Sequence, residues 1–318
     1  DLHTRFYGNA ATEMAAYWHY VDGVWVNTPE YAGAAAGYMR RFTPEHMAKM
    51  RELLNAGIAQ AKTPQEKARV TLANESLMLF EQYMKMRRDF IEGRFDGLAA
   101  EADMWVGKSH AMAERYRAQY AFSARDYGAN LIWGNNNGVD FFNQWYHHNY
   151  DDAARIARHY QILTPQPLRQ WRYAVDKEKK GGRLGWQQAG FDDKAWKITD
   201  VAVETWSTLG HHDYFGRMWY RKTVKLPAAP TGRKTFLWIA STDGSAKVFV
   251  NGRHVPYANA KGEKADEFVG FVQSASFDIS AAIKPNSDNQ ITVMCERRTI
   301  NEIGTGGLMG PVIIYREK

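Results

Sequence analysis

Residues 206–221 carry a dense group of side chains that could bind a hydroxyl-rich ligand. His211, His212, Asp213 and Tyr214 are consecutive, and they supply several hydrogen-bond donors and acceptors and one aromatic ring. Trp206 precedes them and offers a large apolar face for stacking on a sugar ring. The stretch therefore predicts a loop that binds a hydroxyl-rich ligand. A second interpretation, in which these aromatic residues fill a core, stays open.

Two adjacent arginines, Arg297 and Arg298, are a second candidate for ligand binding. A guanidinium group forks onto a carboxylate or a sulfate through two parallel hydrogen bonds. Because neighbouring residues of a strand face opposite sides, we expect at most one of the two to do so. We expect the loop end formed by residues 206–214 and 297–307 to hold the ligand, since loops on a rigid scaffold commonly carry function.

Catalytic acids are harder to assign than binding residues. Hydrolysis of a glycosidic bond ordinarily uses two carboxylates about 5 to 9.5 Å apart, and no sequence motif pairs two acids in this chain. Glu204, Asp213 and Glu302 are the candidates, because they could meet at one rim of a sheet. The chain has no G-x-S-x-G motif, no glycine-rich phosphate loop and no H-E-x-x-H motif, so other chemistries have less support.

Metal binding is not predicted. His147 and His148 are adjacent and point in different directions, and neither a cysteine nor a paired carboxylate completes a site with them or with His159. The chain has one cysteine, Cys295, which excludes an internal disulfide and a multi-cysteine metal site. Its apolar neighbours predict a buried, inert thiol.

Composition predicts an ordinary globular protein with a basic second half. Hydrophobic residues make up 45% of the 318 residues and charged residues 24%, and the net charge is +6. The excess of Lys and Arg lies after residue 165 and favours an acidic glycan over a neutral one. The basic residues form no dense run and no nucleic-acid motif accompanies them, so we expect no nucleic-acid partner. No apolar run reaches the length of about 20 residues that a membrane span needs, so we expect no membrane partner.

The first half predicts helices that pack their apolar faces together. Thr43-Pro44 and Thr63-Pro64 each combine an N-cap residue with proline at the first helical position. Apolar residues at helical spacing follow both starts. Glycine and asparagine over residues 127–138 predict a loop that continues to about residue 148, and a short helix is expected over residues 151–160.

The second half predicts antiparallel strands. Residues 220–226 alternate polar and apolar, residues 236–239 form a short apolar run, and residues 246–250 alternate again. Asp243-Gly244 and Asn251-Gly252 are both dipeptides of the hairpin type. We therefore expect an α+β fold of two domains, an α-helical domain over residues 1–165 and an antiparallel jelly-roll β-sandwich over residues 166–318.

The order of motifs in the second half resembles the galactose-binding-like jelly roll of β-galactosidases, β-glucuronidases and other glycosidases. The resemblance begins at Trp171, Gly185-Trp186 and the run Phe191 to Trp196. It continues through Trp219-Tyr220-Arg221, Asp243-Gly244 and Val250-Asn251-Gly252, then Phe277 to Ser280, Pro285 to Asn289 and Gly310-Pro311-Val312. It implies a carbohydrate context but no particular reaction. Asp213 lies where β-galactosidases often have an asparagine, and Glu302 does not match the register of their late acidic residue.

The first half is similar to the helical region that follows the catalytic barrel in uncharacterised bacterial proteins related to α-glucuronidases. The run Phe6 to Ala11 and the Thr-Pro helix starts carry this resemblance. Nothing similar to a barrel is present, and the chain begins without Met and without a signal peptide. We therefore expect a processed product or a piece of a longer protein. The resemblance implies secretion or a periplasmic location, an N-terminal catalytic domain as partner, and no cofactor, with a structural calcium ion in the sandwich left open.

Two functional hypotheses follow. The first is the carbohydrate-binding and scaffold portion of a glycoside hydrolase-like protein that acts on a plant or algal polysaccharide, acidic in preference. The second is a complete small glycoside hydrolase with its site between the helical domain and the sandwich. Turnover by this chain alone, lost on Asp213→Ala or Glu302→Ala, would distinguish the second from the first.

Overall fold

The computed structural model of the chain describes residues 2–27, 39–116, 138–259, 261–270, 273–299 and 306–318, with no side chains over 138–147. It contains two compact units. The first consists of Asp1–Arg88 and Glu101–Phe141, and the second of Asp89–Ala100 and Phe142–Lys318. The domain boundary expected at residue 165 stays a prediction, while residues 142–165 group with the sheet in this division.

Helices dominate the described residues before residue 160. They are α1 (Leu2–Tyr7), a 3₁₀ turn (Gly8–Ala10), α2 (Ala11–Val26), α3 (Pro44–Gln60), α4 (Pro64–Ile91), α5 (Leu98–Tyr116) and α6 (Gly138–His159). Both predicted Thr-Pro starts are confirmed, at α3 and α4. Within the described residues, no helix is both long and apolar enough to cross a membrane.

The starts of α3 and α4 use side-chain caps. Thr43 Oγ1 accepts a hydrogen bond from the backbone N–H of His46 at 3.3 Å. At α4 the cap is reciprocal, because Glu66 N–H donates to Thr63 Oγ1 at 3.2 Å and Thr63 N–H donates to Glu66 Oε2 at 3.0 Å. Glu66 also accepts from the backbone N–H of Asn9 at 3.0 Å, which joins the start of α4 to the 3₁₀ turn. These bonds satisfy donors that a helix start would otherwise leave exposed.

The expected helix over residues 151–160 is longer than its sequence pattern indicates. It begins at Gly138, thirteen residues earlier, so the loop predicted to continue to residue 148 is wrong over residues 138–148. Glycine and asparagine lower helix propensity, but tertiary packing overrides propensity. Ala153 and Ile156, both fully buried, are part of the packed face of α6. The loop predicted for residues 127–137 lies outside the described residues.

The remaining chain forms an antiparallel sheet. Its strands are β1 (Tyr160–Ile162), β2 (Gln170–Asp176), β3 (Lys197–Asp200), β4 (Arg217–Leu226), β5 (Thr235–Val250), β6 (Arg253–Val255), β7 (Tyr257–Ala258), β8 (Lys264–Ala265), β9 (Phe268–Gly270), β10 (Ala275–Asp278), β11 (Ser287–Glu296) and β12 (Gly307–Glu317). The main order is β1-β12-β5-β11-β4-β2-β3, with β6, β9 and β10 also paired to β5, and β7 pairs β8 separately.

Strand β5 belongs to both layers of the curled sheet. Its first part pairs with β12 and β10, and its last part pairs with β11, β9 and β6. Apolar side chains from both parts, such as Leu237 and Val248, lie fully buried in one core cluster. The predicted α+β class, with a helical region followed by an antiparallel β-sandwich, is confirmed.

The hairpin expected at Asp243-Gly244 is wrong, because β5 runs through these residues without reversing. Gly244 has a φ of +101°, and a Cβ atom there would lie 2.5 Å from the carbonyl oxygen of Glu296. The pairing of β5 with β9 shifts register between Thr242 and Ser245, which flank the dipeptide. The dipeptide therefore bends the strand from one layer into the other, as bulges do at the corners of sandwiches.

The second turn, Asn251-Gly252, is confirmed as a tight hairpin between β5 and β6. Val250 pairs with Arg253 across it. Asn251 has a φ of +52° and Gly252 a φ of +84°, which is the pair of positive φ values that a type I′ turn requires.

Candidate functional site

Described residues at the ends of the two segments expected to form the ligand end are joined by backbone hydrogen bonds at one end of the sheet. The backbone N–H of Trp206 donates to the carbonyl oxygen of Gly306 at 3.2 Å, and the N–H of Arg297 donates to that of Gly216 at 3.0 Å. The N–H of Gly306 also donates to Oδ2 of Asp243 at 2.6 Å. Asp243, at the bend in β5, thus anchors Gly306, and Gly306 anchors the segment that carries Trp206.

Trp206 and Arg297 lie inside this end of the sheet, and both are fully buried. The indole N–H of Trp206 donates to the hydroxyl of Tyr220 at 2.7 Å. The guanidinium carbon of Arg297 lies 5.7 Å from the centre of the Trp206 ring. Trp206 therefore cannot stack on a ligand at the surface, and Arg297 packs beneath the loop end in the interior of the sheet. The aromatic core interpretation holds for Trp206.

The exposed part of the predicted loop is its centre. His212 and Asp213 are exposed, and His211 and Tyr214 are half-buried. The hydroxyl of Tyr214 donates to the carbonyl oxygen of Arg217 and accepts from its N–H, each at 3.0 Å. The Tyr214 hydroxyl is thus committed to the backbone, while His212 and Asp213 are available to a ligand.

Phe215 is the exposed aromatic residue that the sequence analysis did not select. Its side chain is 41% exposed, and the guanidinium carbon of Arg297 lies 5.1 Å from its ring centre. A ring held on a buried cation is a fixed apolar face, which suits stacking on a sugar. The signal that could have indicated it is an aromatic residue inside a polar loop directly before a glycine.

The surroundings of His211 are electropositive. Burial lowers the pKa of His211, and the ammonium groups of Lys197 and Lys177 lower it further, while Asp213 acts in the opposite direction. These lysines come from β3 and from the residue after β2. The loop centre therefore lies in a positive field that would attract an anionic group.

Glu296, at the end of β11, is surrounded by three cations. Lys179 lies 3.0 Å from its carboxylate, and Arg217 and Arg298 each lie 3.2 Å from it. Burial alone would raise the pKa of Glu296, but the hydrogen bond from Lys179 and the nearby guanidinium group of Arg217 outweigh it and hold the pKa below its ordinary value. The carboxylate stays ionised and fixes the cations in place.

Arg298 is half-exposed and forms a fork with a protein carboxylate. Its Nη1 and Nη2 atoms donate to the two oxygens of Glu267, each at 2.7 Å. These bonds raise the pKa of the guanidinium group, against the opposing effect of its burial. The geometry expected for a ligand carboxylate is thus already used within the protein.

Two of the three acid candidates, Glu204 and Asp213, lie within the described residues. Glu204 Oε2 accepts from the hydroxyl of Thr199 at 2.9 Å and from the N–H of Asp200 at 2.8 Å. Asp213 is exposed on the loop. Glu302 lies outside the described residues. Glu204 closes a local turn, which is a structural use of its carboxylate.

Among the described side chains, no group of three or more His, Cys, Asp and Glu residues could hold a metal ion. His148 and His159 are exposed on α6, and the side chain of His147 lies outside the described set. Cys295 is fully buried, and burial raises the pKa of its thiol. A structural calcium ion stays a prediction.

Known proteins similar to this chain are β-glucuronidases, and the similarity covers part of its length. The chain is 28% identical over 130 residues to a β-glucuronidase of Formosa agariphila, which is 39% of this chain and 12% of that protein. It is 26% identical over 125 residues to a β-glucuronidase of Paenibacillus borealis, again 39% of this chain and 19% of that protein. The chain thus matches less than a fifth of either relative.

A similar solved structure is the β-glucuronidase from Ruminococcus gnavus in complex with D-glucuronic acid. It has a TM-score of 0.38 and 19% identity, covering 50% of this chain and 31% of that one. No family model matches the chain. The chain is related over part of its length to glycoside hydrolases. The resemblance of the helical half to proteins related to α-glucuronidases stays a prediction.

Proposed function

We propose that this chain is the carbohydrate-binding and scaffold portion of a glycoside hydrolase-like protein that acts on an acidic polysaccharide of plant or algal type. In this proposal a catalytic domain elsewhere in the same protein cleaves the glycan. A polymeric substrate of this kind lies outside the cell, so the proposal includes secretion or a periplasmic location. The partial similarity to β-glucuronidases supports the carbohydrate context.

The observation that carries the proposal is the exposed centre of the loop end. Phe215 offers a ring face, and His212 and Asp213 offer polar groups on the same short loop. The buried pair Trp206 and Arg297 holds this loop from inside. Fixed apolar and polar groups on a rigid support lose little conformational entropy on binding, which favours recognition of a sugar.

The charge preference follows from the lysines near His211. Lys177 and Lys197 add positive charge beside a loop that carries a single acid, Asp213. A uronate or sulfate group bound there would interact favourably with both ammonium groups. Interactions between exposed charges are largely screened beyond the Debye length, which is about 8 Å at physiological salt and shorter at higher salt. This preference should therefore weaken as the salt concentration rises.

Affinity electrophoresis on an acidic and a neutral polysaccharide, at low and high salt, tests the proposal. Phe215→Ala should abolish retention on the acidic polymer, and Lys197→Glu should reduce it chiefly at low salt. Phe6→Ala is the matched control, since Phe6 is 38% exposed and carries the guanidinium group of Arg69 at 4.5 Å from its ring centre. Equal retention on both polymers would contradict the acidic preference, and no retention on either would contradict glycan binding.

A further inference from the structure

An open cleft with a volume of about 350 Å³ lies beside helix α6. Four of its lining residues lie on α6, namely His148, Asp151, Asp152 and Arg155. The fifth, Ser274, directly precedes β10. The spacing of three and four residues places the helical members on one face of α6. The volume lies at the lower end of the range of about 300 to 1,000 Å³ for small-molecule sites, which is room for one compact ligand.

Asp152 forms the fixed wall of the cleft. Its Oδ2 atom accepts from the indole N–H of Trp238 at 2.7 Å and from the hydroxyl of Ser274 at 2.9 Å. Its Oδ1 atom accepts from Nε of Arg155 at 3.1 Å, and Nη2 of Arg155 bonds to the same oxygen. Both carboxylate oxygens are thus oriented by named donors on two different elements.

The wall rests on an aromatic base. Trp238 is fully buried, and the ring centres of Phe90 and Phe95 each lie 6.1 Å from its own. Apolar packing of this kind would dock α6 on the sheet without a carboxylate. Placing a charge against such a base costs desolvation energy that the hydrogen bonds only offset. Apolar packing alone would hold α6 on the sheet, and the hydrogen bonds add a fixed position for the carboxylate of Asp152.

The cleft offers both donors and acceptors to a ligand. Ser274 donates its proton to Asp152, so its oxygen remains an acceptor toward the cleft. Arg155 has a side chain that is 46% exposed, and its hydrogen bonds to Asp152 use Nε and Nη2. Nη1 therefore remains as a donor at the rim. His148 is exposed and adds an imidazole at the other end of this helical face.

The charges of the cleft disfavour an anion. Arg155 is paired with Asp152, so its positive charge is already offset within the wall. Asp151 adds a second carboxylate at the lining. A ligand carboxylate would be repelled by Asp151, whereas a neutral hydroxyl-bearing ligand would meet carboxylate acceptors and a guanidinium donor.

We propose that this cleft binds a single neutral sugar unit, separately from the acidic glycan proposed for the loop end. Hydroxyl groups of the sugar bond to Arg155, Ser274 and His148, and the carboxylate of Asp152 holds the first two in place. The same groups would bind a free monosaccharide or the terminal sugar of an oligosaccharide. Binding of the oligosaccharide as well as the monosaccharide would identify the second.

Saturation-transfer NMR of the full chain with free glucose, galactose, mannose and xylose tests the proposal, and an oligosaccharide of any sugar that binds identifies the source. At least one sugar should show saturable binding in the millimolar range, and in the Phe215→Ala variant this binding should be tighter than that of its uronate analogue. His148→Ala and Arg155→Gln should each weaken it about fivefold, the effect of losing roughly one net hydrogen bond. Ser276→Ala is the matched control, because Ser276 lies two residues from Ser274 and bonds to the Tyr315 hydroxyl at 3.0 Å.

Circular dichroism of each variant separates a lost contact from lost folding, and His148→Ala changes an exposed side chain if Arg155→Gln proves unstable. Phe215→Ala should leave the monosaccharide affinity unchanged, so a failure at the loop end and a failure at the cleft give different results. Binding of no monosaccharide, tighter binding of uronates than of neutral sugars by the Phe215→Ala variant, or an unchanged affinity in both His148→Ala and Arg155→Gln would overturn the proposal.

Discussion

Replacing Tyr220 by Phe removes one hydroxyl group from the interior of the sheet and leaves the ring in place. That hydroxyl accepts the indole N–H of Trp206 at 2.7 Å, and the backbone N–H of Leu308 also bonds to it. Both partners are fully buried, so water cannot replace the lost acceptor. The substitution therefore leaves two buried donors unsatisfied at the base of the loop end.

The magnitude follows from those two donors. A buried donor without an acceptor costs about 1–3 kcal/mol. Two such donors, partly relaxed by movement of the loop, should lower the free energy of unfolding by about 3 kcal/mol. A loss of that size is a large part of the total of about 5–15 kcal/mol that is typical of a folded domain.

The chain contains its own control for this reasoning. Trp18 donates its indole N–H to the hydroxyl of Tyr7 at 2.9 Å, in the same pairing of residue types. Trp18 is 38% exposed, so water can accept its N–H when the hydroxyl is removed. We expect Tyr7→Phe to cost about 1 kcal/mol or less, the net value of an ordinary hydrogen bond.

Urea unfolding followed by near-ultraviolet circular dichroism measures both variants, each at the transition of its own compact unit. A double-mutant cycle of Tyr220→Phe with Trp206→Phe should give a coupling energy above about 0.5 kcal/mol, since the two side chains share one bond. Equal costs for Tyr220→Phe and Tyr7→Phe, or additive effects in the cycle, would refute the assignment of this bond as a buried anchor.

Two other predictions concern stability. Glu66 accepts hydrogen bonds from the backbone N–H groups of Thr63, Asn9 and Lys62, which lower its pKa from 4.5 to about 2. The folded pKa is depressed, so this contribution is fully present above about pH 4.5 and is lost as the pH falls toward 2; Glu66→Gln should remove that pH dependence in acid-unfolding curves. Gly252→Val should lower the melting temperature without removing a ligand selectively, because positive φ costs about 1–2 kcal/mol and the new Cβ would lie 2.3 Å from the Gln188 amide oxygen. An unchanged melting temperature would contradict the structural role of that turn.

The two Gly-containing dipeptides of β5 and its hairpin show which parts of the fold are visible in the sequence. Asn251-Gly252 makes a turn whose requirements are local, namely two positive φ values in succession. Asp243-Gly244 has the same local signal but a different outcome. Its partners, Gly306 and Glu296, lie more than fifty residues later in the chain, and they keep the strand running through the bend. Such long-range pairing cannot be read from a dipeptide.

The same distinction applies to the candidate site. The two segments expected to form the loop end are joined by backbone hydrogen bonds, while their role in ligand binding stays a prediction. The sequence pattern did not distinguish the ring that faces the core, Trp206, from the ring that faces solvent, Phe215. Both residues are aromatic members of one segment, and the buried position of Trp206 involves a hydrogen bond to Tyr220, fourteen residues further on, which the local sequence does not reveal.

The enzyme hypothesis depends on whether two carboxylates can act on one bond. Glu204 holds a turn through Thr199 and Asp200, at 2.9 and 2.8 Å, so Glu204→Ala should lower the melting temperature because it removes the acceptor oxygen of both bonds. Asp213 is exposed on its loop, whereas hydrolysis of a glycosidic bond ordinarily needs two carboxylates held across that bond. We therefore expect the purified chain to bind acidic glycan without hydrolysing chromogenic uronides or polyuronates. Hydrolysis by the purified chain that disappears in Asp213→Ala, at an unchanged melting temperature, would refute the binding and scaffold proposal and establish a small hydrolase in its place.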